Sequence, residues 1–208
     1  MKPVITFIAC AFNEKIYNRA LVDSLLMQSD KRWKLIIYHN GINEKMRKWV
    51  ARYKDPRITY MESPVNTGCG GSYNRIDALN YVDTPYIIQT SIQDYYLSWT
   101  VELIINRLRN ENNPDMCFWD SINHLSGYEV LNTRLELSYI DWGNFCWRTE
   151  IAKEVGIPKI TEGAIPSDWY TIERGLELNL LKRLTKIANV LTIHNILLLL
   201  ILISDIIL

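Results

Sequence analysis

The 208-residue chain is long enough for one α/β domain with a sizeable core and short for two. Lys plus Arg (23) equals Asp plus Glu (23), which excludes the basic field of a nucleic-acid binder and any acidic tail. The four cysteines, Cys10, Cys69, Cys117 and Cys146, form no C-x-x-C pair, so they read as free, buried thiols in a reducing compartment rather than a zinc clip.

The chain opens on MKPVITFIAC, an apolar run that meets Phe12-Asn13-Glu14 without a small-residue cleavage site, and so reads as a first buried strand rather than a signal peptide. Strands are predicted at Val4–Ala9, Trp33–Tyr38, Ile58–Met61 and Tyr86–Ile88, each rich in β-branched or aromatic residues. Helical spacing fills the gaps. Leu21, Val22, Leu25 and Leu26 share one face; Met46, Trp49, Val50 and Tyr53 follow i, i+3, i+4, i+7; Leu97, Val101, Ile104, Ile105 and Leu108 form a third stripe. Alternating strands and helices imply a mostly parallel sheet, and such sheets bind ligands beyond the carboxyl ends of their strands.

The second half predicts strands at Met116–Trp119, Tyr128–Asn132 and Phe145–Arg148, helices at Glu150–Val155 and from Asp168 to about Leu178, and a last strand at Ile187–Ile193. From Ile196 to Ile203 the chain is unbroken Ile and Leu, short of the ~20 residues that span a bilayer. That run reads equally as a peripheral membrane contact, an oligomer contact or the start of a longer segment.

Four polar clusters follow predicted strands: Phe12-Asn13-Glu14, His39-Asn40-Gly41, Asn66-Thr67-Gly68 with Asn74, and Gln93-Asp94. Singly each has a plain structural reading. Asn40-Gly41 is a good turn, Asn13 suits a helix cap, and Asp94 suits the cap of a helix starting near Ser98. Together they would meet on one rim. The stretch Gly68-Cys69-Gly70-Gly71 fails the G-x-G-x-x-G pattern, because Tyr73 holds the third glycine position and the stretch follows the third strand instead of the first. Gly-Lys-Ser/Thr and G-x-S-x-G are both absent.

The segments VITFIACAFNE, SLLMQSDKRWKLIIYHNG, NTGCGGSYNRIDAL and YIIQTSIQDYY, in that order, resemble the nucleotide-binding half of family 2 glycosyltransferases, and the resemblance runs over roughly residues 3–194. Asp141 to Arg148 is similar to the acceptor-side strand, Ser167-Asp168-Trp169 to the helix start that supplies the base, and Ile193-His194-Asn195 to the usual domain end. The resemblance implies an α/β GT-A fold, Rossmann-like, with a mostly parallel central sheet and a smaller mixed acceptor-side subregion. It implies one domain over residues 1–195, with a nucleotide half to about 110 and an acceptor half beyond, and an apolar tail over 196–208.

It further implies a nucleotide-sugar donor, of UDP type, held by Ala11, Phe12, Asn13, Glu14, Asn40, Asn66, Gly68, Asn74, Gln93 and Asp94. Asp168 would be the general base of an inverting transfer, and Trp142 and Trp169 an acceptor platform for a glycan or lipid-linked hydroxyl. Asp94 and His194 would hold Mn²⁺ or Mg²⁺. The expected setting is polysaccharide biosynthesis in the cytoplasm, peripheral at the membrane face. Three departures stand out: His39 and Asn40 replace a base-reading aspartate, Tyr73 replaces an arginine before Asn74, and Ser91-Ile92-Gln93-Asp94 leaves one carboxylate in the acidic motif.

Overall fold

The computed structural model describes residues 1–12, 19–68, 71–111, 113–123, 128–133, 142–155 and 190–200. Four parallel strands build its first half: β1 (Ile5–Ala11), β2 (Trp33–His39), β3 (Ile58–Glu62) and β4 (Tyr86–Ser91), ordered β3-β2-β1-β4. The helices between them are α1 (Ala20–Leu26), α2 (Glu44–Val50) and α3 (Ser72–Ala78), the last running into a 3-10 turn at Leu79–Tyr81. This is the alternation the sequence predicts.

Successive strand side chains point to opposite faces, and both faces here are covered. Ile5, Phe7 and Ala9 of β1 pack with Leu35, Ile37 and Ile88 beneath Leu21, Leu25, Met46, Val101 and Ile104. Ile8, Ile36 and Ile87 pack on the opposite side against Ala78, Leu79, Val82, Ile151 and Ala152. Burial on both faces explains why these strands read as near-continuous apolar runs.

Strands β2 and β3 are each entered through an Asp-x-Arg clamp. Arg32 N–H donates to Asp30 Oδ1 at 2.9 Å and Arg57 N–H to Asp55 Oδ1 at 2.9 Å, while each guanidinium returns to the same carboxylate. The Arg57 Cζ also lies 3.9 Å from the centroid of a Trp33 ring. Each arginine holds its aspartate below the usual carboxylate range.

Beyond β4 the sheet turns mixed. It continues through β8 (Phe145–Arg148), β6 (Met116–Asn123), β9 (Val190–Leu200) and β5 (Asp94–Tyr96), with β7 (Glu129–Leu131) paired to β6. Helices α4 (Thr100–Asn110) and α5 (Thr149–Val155) complete the described elements. Strand β8 is antiparallel to β4 and β6, β9 is parallel to β6, and β5 is antiparallel to β9.

Two findings depart from the sequence reading. Asp94 does not cap the following helix: it begins β5, and α4 starts six residues later at Thr100. The last strand runs on to Leu200, so a boundary after Asn195 falls inside it, and Leu198–Leu200 pair with Asp94–Tyr96. Among the described residues no helix is long and apolar enough to cross a membrane.

Candidate active site

The four parallel strands end together at Ala11, His39, Glu62 and Ser91, with Ala11 opposite His39 and Cys10 opposite Ser91. Ala11 is buried, and Phe12 just beyond it is exposed. At the end of β2 the Asn40 side chain, 3% exposed, organises the whole loop after β3. Its Nδ2 donates to Asn66 Oδ1 at 2.8 Å and to Gly68 O at 3.3 Å, while its Oδ1 accepts from Thr67 N at 2.8 Å and Thr67 Oγ1 at 3.0 Å. Asn66 Oδ1 in turn accepts from Gly68 N at 2.8 Å. Gly68 holds φ +67° and Gly41 φ +99°, backbone that glycine adopts without a Cβ penalty. His39 is engaged by the segment just after β2, its Nδ1 2.7 Å from Gly41 O and its Nε2 3.1 Å from Asn43 Nδ2.

The reduced acidic motif forms the tight turn from β4 into β5. Asp94 is 4% exposed, and its Oδ2 accepts from Ser91 N at 2.8 Å and from the Thr90 hydroxyl. Tyr96 donates from Oη toward Thr90 Oγ1 at 2.9 Å and Gly143 O at 3.3 Å, which links this turn to the one that carries Trp142. Gln28, fully buried, braces the segment from below. Its Nε2 donates to Ser24 O at 3.0 Å and Leu97 O at 2.8 Å, and its Oε1 accepts from Val101 N at 3.0 Å, supplying the α4 amino terminus with an acceptor that Asp94 does not. Gln93 is half-buried beside Asp94.

Helix α3 closes the rim from the other face. Gly71 precedes it at φ +78°, where an added Cβ would lie 2.9 Å from Cys10 Cβ, so helix and strand touch backbone to side chain. Asn74 is 2% exposed, and its Nδ2 has no hydrogen-bond partner among the described residues. Arg75, 8% exposed, donates to Ile8 O at 3.5 Å and places Cζ 5.5 Å from the centroid of a Trp142 ring. Burial pushes the Cys10 thiol upward, and the Arg75 charge opposes that shift. Trp142 also lies against Phe145, centroids 5.8 Å apart.

The structure thus brings Ala11, Phe12, Asn40, Asn66, Gly68, Asn74, Gln93 and Asp94 to one end of the sheet. Asn13, Glu14, Asp168 and Trp169 lie outside the described residues. His194 sits in β9, between residues paired with Trp119 and Asp120. Sequence reasoning missed Arg75, Thr90 and Tyr96. Arg75 had a readable signal: with Ala78, Leu79 and Val82 it occupies i, i+3, i+4, i+7 of an otherwise apolar face.

A divalent cation at the acidic motif fits these residues poorly. Hard cations take anionic oxygens. Ser91 and Gln93 bring none, Asp94 directs Oδ2 into its own turn, and among the described residues no group of three His, Cys, Asp or Glu side chains converges to hold an ion.

Four parallel strands with a polar rim at their carboxyl ends and a mixed extension beyond β4 make an α/β fold of the GT-A kind. The solved structures agree: S. aureus TarS superposes with a TM-score of 0.71 at 17% identity over 97% of this chain and 37% of that one. TarS 1-349 in complex with UDP gives 0.71 at 16% over 96% and 60%, and its complex with UDP-GlcNAc 0.70 at 15% over 99% and 60%. The family model for glycosyl transferase family 2 matches residues 6–146, and the chain belongs to that family. Uncharacterized glycosyltransferases of Rickettsia typhi and Rickettsia prowazekii are each 26% identical over 137 residues, 66% of this chain. The chain spans 40% of the length of those curated relatives.

Proposed function

We propose that the chain transfers a sugar from a UDP-type nucleotide donor to a hydroxyl of a glycan or lipid-linked acceptor, with inversion at the anomeric carbon. The observation that carries this reading is the convergence of Ala11, Asn40, Asn66, Gly68, Asn74 and the 91–94 turn on one rim of a family 2 fold. The UDP and UDP-GlcNAc complexes of TarS support the donor class.

In such a transfer the acceptor oxygen bonds to the anomeric carbon while the bond from that carbon to the diphosphate breaks. The electron pair of the broken bond passes to the diphosphate, and the acceptor proton passes to a base. A positioned carboxylate contributes about 10²–10⁴-fold to that proton transfer, and Asp168 is the residue the family pattern offers. Trp142, and Trp169 by sequence, would give the acceptor a flat apolar face. A lipid-linked acceptor would bring the reaction to the cytoplasmic membrane face, where residues 201–208 are the apolar segment to make contact.

The test is release of UDP or GDP from a panel of nucleotide sugars incubated with glycan and lipid-linked acceptor extracts, run beside D168N. Donor-dependent product that D168N fails to make, while still binding nucleotide, is expected; equal turnover by D168N removes it as base, and no nucleotide binding removes the reading. A second reading, a non-catalytic nucleotide-sugar binding module, is favoured by the neutral Ser91 and Gln93. It predicts binding without release in every mixture.

A further inference from the structure

We propose that the diphosphate of the donor is neutralised by Arg75 rather than by a metal ion, a reading that rests on the donor-site assignment above. Arg75 is the one Lys or Arg that is buried among the described residues, and no carboxylate there pairs with it. A guanidinium stays charged in any protein environment and carries five N–H donors. Burying it uncompensated is costly. The 3.5 Å contact to Ile8 O and the Trp142 face compensate only in part.

The surroundings hold buried amides without partners. Asn74 Nδ2, one residue away, has no partner among the described residues, nor do the two amide atoms of Gln89, which is 1% exposed and sits opposite Ile8 in the β1–β4 register. Ile8 is also the residue whose carbonyl Arg75 reaches, so Arg75 and Gln89 both adjoin Ile8. Two residues further along β4, Ser91 stands opposite Cys10, the thiol that feels the Arg75 charge. Around Ile8 and the start of α3 the chain therefore combines one fixed positive charge with unpaired amides, three residues before β1 ends at Ala11. Its complement is an anion with several oxygens, which is the chemistry of a nucleoside diphosphate.

The same rim lacks the usual alternative, because the acidic motif is neutral at Ser91 and Gln93 and Asp94 Oδ2 is engaged by Ser91 N and Thr90. When the bond from the anomeric carbon to the diphosphate breaks, the electron pair and its charge arrive on a diphosphate oxygen. A planar guanidinium preorganised beside that oxygen stabilises it with bidentate hydrogen bonds.

The experiment is calorimetric titration of the chain with UDP, GDP and their nucleosides, in EDTA and again in Mn²⁺, on wild type, R75Q and R75K, with a thermal melt for each variant. Wild type is expected to bind one diphosphate in EDTA about as tightly as in Mn²⁺, and at least about tenfold more tightly than its nucleoside. R75Q loses that preference for diphosphate over nucleoside, and R75K keeps part of it. Binding that requires Mn²⁺ and is unchanged in R75Q overturns the proposal while leaving the donor site standing. No binding of either diphosphate under any condition removes the donor site itself. The wild-type comparison in EDTA and Mn²⁺ decides whether a metal is needed even where R75Q does not fold, and R75K then decides the part played by Arg75.

Discussion

Replacing Asn40 by aspartate swaps a nearly isosteric side chain, yet the local hydrogen bonds say it destabilises this chain. Asn40 Nδ2 donates to Asn66 Oδ1 and to Gly68 O. A carboxylate there faces two acceptors with no proton between. Two net hydrogen bonds are lost at about 1 kcal/mol each, and the repulsion of a nearly buried charge adds to them. Stronger donation from Thr67 N and Oγ1 to the remaining oxygen offsets part of that. Rotating the Asn66 amide offers no escape, because its Oδ1 already accepts from Gly68 N. The net loss is about 2–3 kcal/mol at pH 7, roughly a 1–2 M lower urea midpoint for m near 1.5 kcal/mol/M.

The pH dependence has a definite sign. Only the neutral acid can donate to Asn66, so the folded-state pKa of the introduced carboxyl rises above its unfolded value of about 3.9. The deficit relative to wild type therefore shrinks as pH falls through that raised pKa. Urea unfolding of both proteins at about pH 7 and pH 5 measures it. An unchanged midpoint at pH 7, or a deficit that grows on acidification, would refute the account of this loop.

Gln28→Ala removes a fully buried amide that joins α1 to the 97–101 segment, and is expected to cost about 2–4 kcal/mol in chemical unfolding and to speed amide exchange at Val101; unchanged exchange there would contradict the bracing role. Gly71→Ala sets a Cβ 2.9 Å from Cys10 Cβ at φ +78°, so thermal unfolding should show a loss of about 2–3 kcal/mol, and an unaltered melting temperature would mean that β1 and α3 separate freely. Asp55 is held below the ordinary carboxylate range, first by its hydrogen bonds to Arg57. Its stabilisation is complete above the unfolded pKa and disappears as pH falls through the depressed folded value, so Arg57→Met should flatten the acid limb of the stability curve by about 1 kcal/mol between about pH 5 and pH 2. An identical acid limb in the variant would exclude the clamp as the cause.

The parallel half was legible because its physics is local. Strands buried on both faces leave apolar runs, helices between them leave 3.6-residue stripes, and the four polar clusters necessarily follow the strand ends once the sheet is parallel. The β4–β5 turn was not legible, since Asp94 as a helix cap and Asp94 as the acceptor of a turn have the same local spelling. The choice between them is made by Gln28, sixty-six residues earlier in the chain, which already occupies the α4 amino terminus. Strand β5 is equally non-local: it is three residues long, and its sheet partner among the described residues is β9, at the other end of the sequence.

Arg75 shows how a departure from a family pattern carries chemical information once the fold is known. Read as a string, the segment has lost an arginine at Tyr73 and kept Asn74. Read on the helix, Tyr73 is exposed while Arg75 turns under the sheet between Ile8 and Trp142, on the face that also presents Ala78 and Leu79. The positive charge sits two residues later and one helix face round. At the end of β4 and in the turn after it, two positions of the acidic motif are Ser91 and Gln93. Neutral residues in the β4–β5 turn and burial of positive charge on α3 act in the same direction on any anion at the rim, so the electrostatics of one change make sense of the other.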